Sequence, residues 1–343
     1  METREGRGGR RRASMREVAK LANVAISSVS RVLSGHPDVS EEMRTRVLDA
    51  VARLEYEPDF LARSLRRGQT LSVGFVLADI SNPLMAGIVQ GAEAVLRAAG
   101  YTLLLMDSES EAAQDLAHIR FFLSRRVDAM LLSLAADADP AVLALLADAE
   151  TPVVLVDRTF PPAAAVSAVF SDHAAGMAAA AAHLLGLGHR RIAVVTGGET
   201  VLPGRERVAG LRAAVAAEGD AVVPIVRAGS FSAAFGERAT AELLGLAAPP
   251  TAIIAGGNQI LTGCLRALRA AGVPVGAGGV SLVTCDDVPI NELHAPPLAA
   301  IERDVPEIGR TAAELLLRRL AGGPAETIVL PTRFVPRASC ATP

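Results

Sequence analysis

Tryptophan is absent from the 343 residues, aromatic residues make up only 3%, and cysteine occurs three times. With half of the residues apolar, that scarcity implies a core of alanine, leucine and valine, the ordinary interior of a soluble α/β protein. Cys264, Cys285 and Cys340 are too few and too scattered for a disulfide framework or a zinc site, so they are expected as buried thiols in a reducing cytoplasm. No run of about twenty apolar residues is free of charge, which excludes a membrane-spanning helix. Met1 to Arg12 are basic with no apolar stretch behind them, so they form no secretory signal. Rich in Gly and Arg, residues 1–13 read as a disordered basic arm.

The net charge of −3 is unevenly spread. Residues 1–68 hold fourteen Lys and Arg against ten Asp and Glu, a net of +4, which leaves −7 on the remainder. A basic head on an acidic body suits a protein that places one end on nucleic acid. Within the head, Ser14 with Glu17 three positions later is a capping box that starts a helix. Val18, Leu21 and Ala22 then share a face. Asn23 stands where the chain must turn and tolerates the left-handed conformation. Val29, Val32 and Leu33 form the matching face of a second helix, leaving Ile26, Ser27, Ser28, Ser30 and Arg31 outside. Short hydroxyls and an arginine suit a helix whose tip reads base edges in the major groove. Any two amphipathic helices pack alike, but the N-terminal position, the arginine-rich arm and the basic segment after Pro58 point to DNA. A third helix is expected from Ser40 to about Leu54, stopped by Pro58.

From Leu71 the pattern becomes alternating strands and helices. The first series has strands near Leu71–Leu77, Tyr101–Met106, Ala129–Ser133, Val153–Val156 and Ala168–Phe170. The second has Arg191–Thr196, Val222–Val226, Ala252–Ala255 and Ser281–Cys285, then a helix from Pro306 to Leu320 and one terminal strand near Ile328–Val335. Near-continuous apolar strands alternating with helices imply parallel sheets covered on both faces. The expected fold is therefore a small all-α head plus an α/β body of two doubly wound lobes, with ligands at the C-terminal ends of strands. Polar residues stand there: Asp79, Asn82, Asp157, Arg158, Asn258, Asp286 and Asp287, with Arg205 and Arg207 opening a helix. Any one of them could merely cap a helix, Asp172 above all; their convergence from both lobes favours a small polar ligand.

These residues resemble the lactose/galactose-repressor family of bacterial transcription regulators, with the periplasmic-binding-protein-like body of that family. The resemblance is carried by Glu17-Val18-Ala19, Val29-Ser30-Arg31-Val32-Leu33, Ala62-Arg63-Ser64-Leu65, Ile80-Ser81-Asn82-Pro83, Gly188-His189-Arg190-Arg191-Ile192, Asp286-Asp287 and Arg337-Ala338-Ser339. It implies a helix-turn-helix domain over 14–57, a hinge helix over 58–69 and an effector-binding and dimerisation body over 70–343. The N-lobe is expected at about 70–170 and 300–327, the C-lobe at about 171–299 and 328–343. It further implies a homodimer on palindromic double-stranded operator DNA, contacted through Ser14, Met15, Ile26, Ser27, Ser28, Arg31 and Arg63, with Leu65 wedged into the minor groove. The implied effector, a sugar or sugar derivative, would be held by Asn82, Asp157, Phe170, Arg207, Phe231, Asn258 and Asp286, with Arg207 and Asp286 acting from opposite sides. No cofactor is expected.

The chain departs from the family pattern at several points. Ala25 stands where Ser usually caps the recognition helix, a loss of about 1 kcal/mol. Gln259 replaces an Asp, Thr284 replaces a Gly, and the apolar Val201-Leu202-Pro203 stands in a ligand-facing loop. No heptad-bearing tail follows Val335, so a tetramer-forming appendage is not expected. An exported sugar-binding protein would share the body but lack the head. An enzyme is disfavoured by the dispersal of His118, His183, His189 and His294, and Gly197-Gly198 and Gly256-Gly257 are too weak for a nucleotide motif.

Overall fold

The computed structural model describes residues 13–33, 36–56, 69–137, 139–147, 149–161, 166–216 and 222–343. The hinge segment with Arg63 and Leu65, and the arginine-rich arm, lie outside the described residues. The chain divides into two compact units at Thr70 and Leu71.

The first unit contains α1 (Met15–Ala22), α2 (Ile26–Leu33) and α3 (Glu41–Arg53). Ser14 caps α1 reciprocally with Glu17, whose carboxylate accepts the Ser14 backbone N–H at 2.7 Å. Asn23 ends the helix at φ 53°, ψ 52°, the left-handed conformation that the tight turn requires. Ala25 accepts the backbone N–H groups of Ser28 and Val29 but offers α2 no side-chain acceptor. Val18, Ala22, Val29, Val32, Val47 and Ala50 close a small core between the three helices.

In the second unit the first sheet contains β1 (Ser72–Leu77), β2 (Thr102–Asp107), β3 (Ala129–Leu132), β4 (Val153–Val156), β5 (Ser167–Ser171) and β11 (Thr327–Leu330). Its spatial order is β11-β5-β4-β3-β1-β2, all parallel. The second contains β6 (Arg191–Gly197), β7 (Val223–Gly229), β8 (Ala252–Gly256), β9 (Ser281–Cys285), β10 (Ala299–Glu302) and β12 (Arg333–Val335). Its order is β12-β10-β9-β8-β6-β7, with only β12 antiparallel. Helices α4 (Pro83–Ala98), α5 (Ala112–Ser124), α6 (Pro140–Ala147) and α12 (Val305–Leu320) pack on the first sheet. Helices α7 (His173–Gly186), α8 (Leu202–Ala216), α9 (Ala233–Leu244) and α10 (Asn258–Ala270) cover the second, and the short α11 (Pro289–Leu293) follows β9. Apolar residues fill both faces of each sheet, as doubly wound sheets require. Gly91 and Gly309 let α4 and α12 touch: a Cβ on Gly91 would sit 2.1 Å from the Pro306 carbonyl.

The chain crosses between lobes three times, and two crossings correct the expected lobe boundaries. Residues 299–302 form a strand of the second sheet, paired to β9, whereas 300 onward is expected in the first lobe. The single strand expected over Ile328–Val335 is two strands in different sheets. Pro331, which has no N–H for a ladder, separates them, so residues 328–330 belong to the first sheet. The crossings lie side by side: Asp172 N–H donates to Leu330 O and Thr332 Oγ1 donates to Asp172 O, both at 2.8 Å.

Candidate functional site

Strand ends from both sheets meet around a cavity of about 590 Å³. That is ample for a sugar-sized molecule. Asn82, Asp157, Arg207, Phe231, Asn258 and Asp286 all line it, together with Asp79, Arg158, Gln259 and Arg303. Phe170 does not. On β5 it shares a face with Ala168 and packs into the apolar cluster with Met130, Leu132 and Leu155, because alternate side chains of a strand face opposite sides of the sheet. Arg207, on α8, and Asp286, after β9, both belong to the second lobe.

The centre of the site is an ion triad that the sequence reading does not contain. Arg303, on the crossing between β10 and α12, donates from Nη1 to Asp157 Oδ2 at 2.6 Å and from Nε to Asp286 Oδ1 at 2.8 Å. Asp157 comes from the first lobe and Asp286 from the second, so one guanidinium ties the lobes together. All three side chains are 3–4% exposed. His173 Nε2 lies 3.4 Å from the other oxygen of Asp157. Burial alone would raise the Asp157 pKa, but the Arg303 guanidinium and the His173 contact outweigh it and hold the carboxyl well below its ordinary range. Burial opposes protonation of His173 and, despite Asp157, leaves its pKa lowered to about 4, helped by the cations Arg207 and Arg303. The ring is therefore neutral at pH 7, with Nε2–H donating to the carboxylate. No local motif singles out Arg303; only its place at the lobe crossing, invisible without the β10 assignment, marks it.

Further pairs cross between the lobes. Asn258 Nδ2 donates to Asn82 Oδ1 at 2.9 Å, and Gln259 Nε2 donates to Asp79 Oδ2 at 2.8 Å. Asn82 also caps α4 by accepting the Leu84 N–H. Arg205 donates to Asp137 Oδ2 at 3.0 Å and lies outside the cavity lining. The apolar Val201 and Pro203 do line it, but α8 begins at Leu202, three residues earlier than the sequence suggests.

Arg207 projects from α8, donates to Gly256 O at 2.7 Å and lies 5.8 Å from the Phe231 ring centre. Other sequence signals are structural. Asp172 caps α7 through the Ala175 N–H, and Asp287 forms a bidentate pair with Arg337. His189 bonds Thr251 Oγ1 and Ala341 O, fastening the C-terminal segment. Cys264 and Cys285 are buried, while Cys340 is only partly so.

In the head, Ile26, Ser27 and Arg31 form an exposed face of α2, with Ile26 45% exposed. Ser28 is half-buried, and Met15 packs against the small core beside the exposed Ser14.

Among the described residues, no helix is long and apolar enough to cross a membrane. Residues 14–59 match the family described as bacterial regulatory proteins, lacI family, and residues 181–340 match a periplasmic binding protein-like domain. The ribose operon repressor of Escherichia coli K12 is 30% identical over 310 residues, covering 90% of this chain and 93% of that protein. The HTH-type transcriptional repressor PurR of Aliivibrio fischeri ES114 is 29% identical over 312 residues, covering 90% and 92%. A crystal structure of the Lac repressor dimer bound to operator and the anti-inducer ONPF superposes with a TM-score of 0.86 at 26% identity, covering 96% of this chain and all of that one. The transcriptional regulator CelR in complex with cellobiose gives a TM-score of 0.72 at 30% identity, with the same coverage. These relatives are DNA-binding repressors and regulators, and at this identity over nearly the whole length the chain belongs to the lacI family of bacterial regulatory proteins.

Proposed function

We propose that this protein is a cytoplasmic transcriptional repressor that binds palindromic operator DNA as a homodimer and is controlled by a sugar or sugar derivative held between its lobes. The observation that carries the reading is the cavity at the strand ends, whose walls come from both lobes. A molecule there touches Asn82 and Asp157 on one side and Arg207, Phe231, Asn258 and Asp286 on the other. Its binding therefore depends on the angle between the lobes. A ligand with different affinity for two lobe arrangements shifts their populations, and linkage carries the shift to DNA. CelR is bound to cellobiose and an Enterococcus faecium lacI-family regulator to ribose, which supports a carbohydrate ligand here.

The exposed Ile26, Ser27 and Arg31, flanked by Ser14, Met15 and Ser28, are the proposed base-reading and phosphate-contacting surface. Arg63 as a DNA contact and Leu65 as the minor-groove wedge rest on the resemblance alone. Exposed apolar residues support a dimer: Leu104 and Leu105, on opposite faces of the edge strand β2, and Ile290 with Leu293 on α11, the last 79% exposed.

Selection of duplexes from a random pool by the full chain tests the DNA half of the reading. A two-fold symmetric consensus is expected, and recovery of unrelated sequences would refute it.

A further inference from the structure

Three guanidiniums reach the cavity, and they are not equivalent. Arg303 is spent, because both of its faces are closed by Asp157 and Asp286. The reverse also holds: the two deep carboxylates, the obvious acceptors for sugar hydroxyls, are already engaged by Arg303. Asp79 in turn accepts from Gln259 and Ser81. The aspartate acceptors of the cavity are thus engaged within the protein, and Glu109 and Glu111 complete its acidic lining.

Its donors are less fully engaged. Arg207 is only 3% exposed; it donates to the Gly256 carbonyl and also meets the Cys285 thiol. Its buried Nε has no hydrogen-bond partner, and among the described residues it forms no ion pair. The Phe231 ring face offers only the weak attraction of a quadrupole. A buried cation normally carries a counter-charge, since leaving one unpaired is costly. Arg158 lines the same cavity from the first lobe, 6% exposed, with Nε and Nη1 on the carbonyls of Leu134 and Asp157. It too forms no ion pair among the described residues. Burial lowers its pKa, Asp137, Asp157 and Asp115 act against that, and Arg207 adds to the lowering, so the two cations sense each other.

We infer that the effector carries an anionic group, a carboxylate or a phosphate, seated against Arg207 with Arg158 on the facing lobe. The inference rests on the cleft being the effector site and names the chemical class of its ligand: a sugar acid or sugar phosphate in place of a neutral sugar. An anion there supplies the counter-charge that Arg207 lacks among the described residues. It also offsets the repulsion between two cations from different lobes, so its binding favours their approach.

The test uses the full chain, with thermal unfolding and calorimetric titration at constant ionic strength. The probes are glucose, ribose and cellobiose, set against gluconate, glucuronate, glucose 6-phosphate, ribose 5-phosphate and inorganic phosphate. At least one anion should bind ten-fold or more tightly than every uncharged sugar. Success among the acids but not the phosphates, or the reverse, assigns the group. Arg207→Met should lose the preference, and Arg207→Lys should keep part of it. Equal or tighter binding of an uncharged sugar, no binding by any anion, or an unchanged preference in Arg207→Met would overturn the inference. Operator binding measured alongside separates the two readings. An uncharged sugar that alters operator affinity sinks this inference alone, whereas a bound anion that leaves operator affinity unchanged sinks the effector reading alone.

Discussion

Asp157 and Asp286 occupy equivalent points in the two lobes. Each directly follows a central strand, β4 or β9, and each has positive φ, 51° and 75°. Each donates its backbone N–H to the neighbouring strand, Asp157 to Val169 O and Asp286 to Ile301 O. The left-handed turn swings both carboxylates out of their sheets toward the space between lobes, where Arg303 joins them. Positive φ costs a non-glycine residue about 1–2 kcal/mol, so this geometry is held by its surroundings.

Removal of Arg303 should therefore be severe. Arg303→Met leaves two buried carboxylates facing each other, and breaking such a group from one side costs about 3–5 kcal/mol. Denaturant unfolding at pH 7 should show a loss in that range. The sign with pH follows from Asp157, whose folded pKa lies well below its ordinary 3.8. Its stabilisation is fully present above about pH 4 and lost as pH falls further. In Arg303→Met the carboxylates resist ionisation, so stability should rise as pH is lowered toward 4. A loss below about 1 kcal/mol at pH 7 would mean that the triad contributes little.

His173 adds a separate window. Its folded pKa of about 4 lies below the ordinary 6.5, so the unfolded chain takes up a proton first as pH falls. The stability associated with the neutral ring is whole above about pH 6.5 and drains away down to pH 4. The amount is on the order of 3 kcal/mol. His173→Gln, which keeps a donor for Asp157, should flatten the wild-type curve between pH 6.5 and 4. Identical slopes would place the titration elsewhere.

In the head, Asn23 separates α1 from α2 in the left-handed conformation. Asn23→Ala should destabilise that unit by about 1 kcal/mol, and Asn23→Gly should be close to neutral. Equal effects of the two substitutions on the melting of the head would show that the backbone conformation is not the cause.

Much of the head was legible, because capping and helical periodicity are local signals: Ser14, Asn23, Ser40 and the apolar face of α2 stand where the pattern puts them. On α1, by contrast, Leu21 is 41% exposed and Ala19 is buried beside Val18 and Ala22 in its place. The lobes were legible too, since buried parallel strands read as apolar runs. The short β10 was lost in an unremarkable Ala-Ala-Ile-Glu stretch, and with it the location of Arg303. Phe170 shows the converse. The family resemblance put it in the cleft, but which face a strand side chain takes depends on register.

Arg31, exposed near the end of α2, is the proposed base reader. Arg31→Ala should weaken binding to the selected operator by about 1–3 kcal/mol while binding to random duplex changes little. An equal loss on both would reduce Arg31 to a phosphate contact.

The most direct measurement is the affinity of the full chain for its selected operator, read by fluorescence anisotropy, with and without a cleft ligand found by titration. The ligand should change wild-type operator affinity at least ten-fold, about 1.4 kcal/mol of coupling, and Arg207→Met should lose that response. A ligand that saturates the cleft while operator affinity stays the same, or an Arg207→Met protein that responds like wild type, would contradict the account.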